Sequence, residues 1–202
     1  RLGLEQDKPV LALLPGSRRA EVQYIAKPFM QAAALLKQEF PDLQVVLPAV
    51  PALHERLTAL SHELQVASWL KIVKGQSHDV LAACDCTLIA SGTTLEAALF
   101  KRPMVIAYNM HPWSYKLMQR KQLQPWVGLP NILCSDFVVP ELLQDQATPR
   151  ALADAIAQWL DHSEHARAKV KTIQARFTAL HHSLFRDTPQ LSAHAIQKIL
   201  SP

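Results

Sequence analysis

The chain has 202 residues, 49% of them hydrophobic and 19% charged, the balance of a globular protein long enough to bury a core without covalent staples. Its net charge of +4 suits phosphate ligands, an anionic membrane or nucleic acid, but the basic residues do not form one stripe with interleaved aromatics, which argues against nucleic acid. Three cysteines without regular spacing (Cys84, Cys86, Cys134) read as reduced thiols rather than a disulfide framework, and nine scattered histidines, with His162/His165 lacking a second pair of ligands, argue against a metal site.

From the N-terminus, Pro9–Leu14 is a continuous apolar run, like a strand buried on both faces, and it stops at Pro15-Gly16-Ser17. Val22, Ile25, Phe29, Ala33 and Leu36 then recur at helical spacing. Leu43–Leu47 reads as the second strand, Pro51–Leu64 as a helix, and Leu70–Val73 as the third strand, closed by Gly75. Ser77 is a candidate cap for a short helix through Ala83. Cys86–Ile89 is the fourth strand, Thr94–Phe100 a helix, and Pro103–Ala107 the fifth strand, with the Cys84/Cys86 pair on what reads as a strand edge.

After Tyr108 the pattern changes. Trp113–Lys121 looks helical and Trp126–Asn131 like a short strand and turn. Thr148-Pro149 is a cap followed by proline at the first helical position, leading into helices at Arg150–Leu160, about Glu164–Leu180, and Pro189–Leu200. Five short strands alternating with helices predict an α/β fold, a Rossmann-like doubly wound parallel sheet with a helical C-terminal tail. The chain begins with Arg1 rather than Met, so a truncated N-terminus is expected, and with neither a signal peptide nor a membrane-spanning run a cytoplasmic location is the expectation.

Ligands of such a sheet bind beyond the carboxyl ends of its strands, and two loops leave such ends. In Leu14-Pro15-Gly16-Ser17-Arg18-Arg19, Gly16 permits close backbone approach, Ser17 can cap the helix, and an arginine can grip phosphate. A plain strand-to-helix turn with solvated arginines is the alternative. In Ala90-Ser91-Gly92-Thr93-Thr94-Leu95-Glu96, Glu96 either closes a capping box with Thr93 or accepts hydrogen bonds from ribose hydroxyls. In Gly128-Leu129-Pro130-Asn131, Asn131 either presents its amide to a ligand or serves as a turn residue. Neither a G-x-G-x-x-G nor a P-loop motif is present, so dinucleotide and P-loop readings lose support.

Taken in order, Leu13–Val22, Ser91-Gly92-Thr93 with Leu95–Leu99, Pro103–Tyr108 and Gly128–Leu133 closely resemble lipid-A-disaccharide synthase, an inverting glycosyltransferase family of the GT-B architecture. The resemblance covers essentially the whole chain but only the second half of the usual protein. It implies transfer of 2,3-diacylglucosamine from its UDP conjugate to 2,3-diacylglucosamine 1-phosphate, forming lipid A disaccharide and UDP without a metal or other cofactor. Residues 1–148 would then be the UDP-sugar-binding domain. Residues 149–202 would be a helical tail packing on it and on an absent N-terminal domain, which would carry the general base. Gly16, Ser17 and Arg18 would face the diphosphate, with Arg18 stabilising the leaving group. Ser91, Gly92 and Thr93 would lie near the nucleotide, Glu96 on the ribose, and Asn131 near the donor.

The diacylated substrates imply a cytoplasmic protein peripheral on the inner membrane. The cluster Trp113, Tyr115, Leu117, Met118, Arg120, Lys121 and Trp126 is a candidate interfacial surface; packing on the sheet or against the absent domain are its alternatives. A homodimer is left open. Two positions depart from the family pattern: one residue fewer separates Ser-Gly-Thr from Leu-Glu, and Cys134-Ser135-Asp136 stands where a small residue, Gly and Arg are common. Other functions compatible with these features are another GT-B UDP-sugar enzyme, such as a peptidoglycan N-acetylglucosaminyltransferase or a UDP-sugar epimerase, and an inert nucleotide-binding module.

Overall fold

A computed structural model describes residues 2–121, 123–161 and 163–200, with the side chains of residues 91, 112, 118, 119 and 121 outside that description. Six strands form one parallel sheet: β1 (Val10–Leu14), β2 (Gln44–Ala49), β3 (Leu70–Lys74), β4 (Cys86–Ile89), β5 (Met104–Tyr108) and β6 (Glu141–Leu143). Their order is β3-β2-β1-β4-β5-β6. The chain therefore winds outward from β1 in one direction, crosses back, and winds outward from β4 in the other.

Both faces of the sheet are covered, which is why the central strands are apolar at every position rather than at alternate ones. All five residues of β1 and all four of β4 are buried. On one face Leu11, Leu13, Val45, Leu47 and Val105 pack against α1 (Arg19–Glu39), α2 (Pro51–Glu63) and α7 (Pro149–Leu160). On the other, Val10, Ala12, Leu14, Met104 and Ile106 pack against α3 (Ser77–Ala83), α4 (Thr94–Leu99) and α8 (Glu164–Leu184). Phe29 of α1 and Phe177 of α8 anchor the two layers; each is fully buried, a contribution of about 1.5–3 kcal/mol apiece.

Thr148 caps α7 as its sequence announces, accepting a hydrogen bond from the Ala151 amide at 3.2 Å, and Ser163 does the same for α8 through Ala166. Ser77 does not act as a cap. It is the first helical residue of α3, and the turn before it is made by Gly75 and Gln76, both at positive φ.

The expected tail from residue 149 divides into two parts. Helices α7 and α8 complete the layers of the sheet, whereas α9 (Thr188–Leu200) is exposed along its whole length. Trp126–Asn131 also differs from the expected strand and turn. Residues Leu129–Cys134 form the short helix α6, with Pro130 in its first turn and Ser135 in the left-handed region at its end. The sixth strand, β6, was not expected; it is three half-buried residues long.

Cys84 ends α3 and Cys86 opens β4, an inner strand of the sheet. Both thiols are buried, and burial pushes Cys84 up to about 12 and raises Cys86 well above the ordinary thiol range. Each stays a protonated, inert member of the core.

Candidate active site

The strand order reverses between β1 and β4, and at that point the two candidate loops leave the sheet together. Leu14 and Ile89, the last residues of these strands, are register partners, and the Ala90 amide donates to the Leu14 carbonyl at 2.8 Å. From there one loop turns to α1 on one face and the other to α4 on the opposite face. A crevice opens between diverging loops at such a reversal.

The first loop depends on Gly16. Its φ is +105°, and a Cβ there would lie 2.5 Å from Glu21 Oε2 and 3.2 Å from Glu21 Cβ. Glu21, one turn into α1, folds back beneath the loop. Its carboxylate accepts from the Arg18 amide at 3.4 Å and from Arg18 Nη1 at 3.1 Å. Arg18, not Ser17, is therefore the N-cap residue of α1.

The Ser17 hydroxyl is exposed and has no partner among the described residues, so it is free to meet a ligand. The Arg18 side chain is 81% exposed while Glu21 is 12% exposed, so the ion pair rests the guanidinium on the helix cap without committing it. Most of its five N–H donors remain for an anion. The α1 N-terminus adds the positive end of a helix 21 residues long.

In the second loop, Ser91–Thr93 form a 3-10 turn that runs directly into α4. Such a turn rises about 2.0 Å per residue against about 1.5 Å in an α-helix, so three residues cover the axial length of four. Because each 3-10 residue also turns about 120° rather than about 100°, the angular offset from losing one residue falls from about 100° to about 40°.

The capping box does not form: Thr93 makes no side-chain cap bond, and its buried Oγ1 is without a partner among the described residues. Glu96 is thus released from helix capping. Its half-exposed carboxylate lies 3.6 Å from Nε2 of His78, the second residue of α3, whose ring also stands against Phe100. Gly92 is exposed, with open space where a Cβ would be. The side chain of Ser91 lies outside the described residues.

Asn131 does not join this site as a ligand-facing amide. It is fully buried and saturated: Nδ2 donates to the Val139 carbonyl (2.9 Å) and to Glu141 Oε1 (2.8 Å), while Oδ1 accepts from the Val138 and Val139 amides (2.9 and 3.0 Å). Glu141, which the sequence did not single out, is the centre of this bracket. It also accepts from the Val127 and Gly128 amides at 2.9 and 2.8 Å. Gly128 packs so tightly on β5 that a Cβ would lie 2.2 Å from Ile106 Cδ1. The only advance signal for Glu141 was a lone carboxylate in an otherwise apolar stretch.

At the second departure from the family pattern, Asp136 pairs with Arg176 of α8 at 2.8 Å. The acidic substitution is thus neutralised within the chain. A hollow of about 510 Å³ among Lys8, Asp85, Arg102 and Trp159 lies at the opposite, amino-terminal end of the strands, away from the two candidate loops, which leave the carboxyl ends.

Residues 1–196 match the family model for lipid-A-disaccharide synthetase. The chain is 59% identical over 202 residues to the lipid-A-disaccharide synthase of Verminephrobacter eiseniae (strain EF01-2), covering all of this chain and 52% of that protein. It thus spans about half the length of the curated relatives it matches. Among solved structures it superposes on WaaG, a glycosyltransferase involved in lipopolysaccharide biosynthesis, with a TM-score of 0.59 at 15% identity, over 99% of this chain and 49% of that one. The S. aureus MnaA–UDP structure gives a TM-score of 0.57 at 14% identity, over 85% of this chain and 42% of that one. These likenesses establish the Rossmann-like fold of one GT-B half.

Proposed function

The chain belongs to the lipid-A-disaccharide synthetase family, and we propose on that premise that it forms the donor-nucleotide half of a metal-independent glycosyltransferase. The enzyme would move 2,3-diacylglucosamine from UDP to 2,3-diacylglucosamine 1-phosphate at the cytoplasmic face of the inner membrane. The observation that carries the reading is the pairing of Leu14 with Ile89, which sets the Gly16–Arg18 loop beside the Gly92–Glu96 loop. The same fold in S. aureus MnaA was solved with UDP.

In this reading the diphosphate meets the α1 N-terminus, with Gly16 allowing backbone approach, and Ser17 and Arg18 donating to phosphate oxygens. Ser91, Gly92 and Thr93 line the nucleotide, and Glu96 accepts from the ribose hydroxyls. As the bond to the anomeric carbon breaks, negative charge grows on the departing UDP. Fixed amide dipoles and the Arg18 guanidinium stabilise that charge more than they stabilise the intact donor. Arg18 reaches this position by exchanging Glu21 for phosphate. Removal of the acceptor proton requires a base within hydrogen-bond reach. That role is assigned to residues the relatives carry outside the matched half, and Asn131 is assigned to architecture.

Calorimetric titration of UDP into this chain tests the reading. Arg18→Ala and Glu96→Ala should each weaken binding by roughly tenfold, the worth of one charge-assisted hydrogen bond. Unchanged affinity in either variant would remove that residue from the site, and absence of UDP binding to the folded chain would sink the assignment.

A further inference from the structure

Helix α5 (Pro112–Lys121) follows β5 and starts from the same sheet edge as the two candidate loops. Its Trp113 is 77% exposed and Leu117 57% exposed, and Leu123 just beyond is exposed as well. The expectation that this helix packs on the sheet is therefore not met on that side. Trp113, Lys116, Leu117 and Arg120 stand at i, i+3, i+4 and i+7, which puts all four on one helical face. Lys116 Nζ lies 5.7 Å from the centroid of the Trp113 ring, over its face. Neither Lys116 nor Arg120 forms an ion pair among the described residues. No Asp or Glu occurs anywhere from Ala97 to Ser135. Tyr115, on the other side of the helix, is half-buried, and the half-buried Trp126 packs edge-on to Phe137, so neither belongs to the exposed face. The side chains of Met118 and Lys121 lie outside the described residues.

We propose that this face of α5 docks on an anionic phospholipid bilayer, with Trp113 and Leu117 entering the interface and Lys116 and Arg120 meeting lipid phosphates. The chemistry favours a bilayer over a protein partner. An indole with cations stacked on and beside it suits the headgroup layer, where the ring sits half in hydrocarbon and the lysine stem snorkels to phosphate. The other unpartnered helix, α9, differs: Leu191, Ile196, Ile199 and Leu200 are aliphatic, and Lys198 is its one lysine, with no arginine, a surface suited to protein. The placement is also functional. Docking through α5 turns the carboxyl edge of the sheet, and with it the donor crevice, towards the membrane that would hold diacylated substrates. The inference rests on the proposed function for that last point alone.

The test is co-sedimentation of the chain with vesicles of phosphatidylcholine alone and with added phosphatidylglycerol, at low and high salt. Binding should require phosphatidylglycerol and fall with salt. Lys116→Glu/Arg120→Glu should weaken it at least tenfold, on the order of the attraction of two cations to an anionic surface, and Trp113→Ser/Leu117→Ser should do the same through lost apolar burial. UDP titration of the same variants should match the parent, which verifies folding and separates this proposal from the nucleotide assignment. Equal binding to neutral vesicles, no binding to either kind, or α5 variants that sediment like the parent would each overturn the proposal. So would loss of binding in Ile196→Ser/Ile199→Ser of α9 while the α5 variants retain it.

Discussion

The loop after β1 and the turn before α6 look alike in sequence, each a glycine followed closely by a proline or a polar side chain, yet they spend their hydrogen-bonding groups in opposite ways. Around Asn131 every donor and acceptor of the amide is used inside the protein, and Glu141 ties together two amides and the Asn131 side chain. Around Gly16 the Ser17 hydroxyl has no partner among the described residues, and the exposed Arg18 side chain is held by one ion pair, to Glu21. A buried polar group must be satisfied internally because water cannot reach it, whereas a group at an open edge can wait for a ligand. Burial, not residue type, separates the bracket from the site.

The contrast makes graded predictions. The largest effect is expected at Asn131→Ala, which strands the Val139 amide and takes a hydrogen bond each from the Val138 amide, the Val139 carbonyl and Glu141 Oε1. Unfolding in urea should show a loss of about 2–4 kcal/mol, with the UDP affinity of the protein that remains folded unchanged. If instead stability holds and UDP affinity falls, Asn131 belongs to the donor site after all.

A smaller effect, about 1–3 kcal/mol, is expected for Gly16→Ala, because φ of +105° is essentially closed to a side chain and the new Cβ displaces Glu21. UDP binding should weaken with it. Gly92→Ala is the control: open space surrounds that position, and its stability should stay within about 0.5 kcal/mol of the parent. Equal losses at both glycines would mean that the Glu21 contact does not shape the first loop.

The smallest expected change is in Glu21→Gln, which weakens the pair that holds Arg18. Pairs with a solvent-exposed partner, as Arg18 is here, contribute about 0.2–1 kcal/mol, so stability should fall by about that much, while UDP binding should tighten up to a few-fold as the guanidinium is released. Weaker UDP binding would show that Glu21 orients Arg18 for phosphate rather than competing with it.

The long, strongly patterned elements were legible in the chain. β1, β2, β4 and β5 are short apolar runs because helices cover both faces, and the buried positions of α1 recur at helical spacing. β6 was missed because three half-buried residues carry no period. α6 reads as a strand and turn because a short helix opening with Leu129-Pro130 leaves too few residues for periodicity to appear. Residue type alone marks Ser17 and Ser77 as caps, but Glu21 in one case and a pair of left-handed residues in the other already shape those helix starts.

The sequence by itself determined the alternation of strand and helix, the buried faces, and a set of motifs specific enough in combination to resemble one family, since each depends on residues close together in the chain. Which loops share a crevice, which carboxylate is spent on architecture and which helix face is left uncovered were decided by tertiary structure alone. Each is a contact between residues distant in the chain: Leu14 beside Ile89, Asn131 against Glu141, Asp136 on Arg176. Strand order and burial bring such groups together or apart, and no local pattern records that outcome.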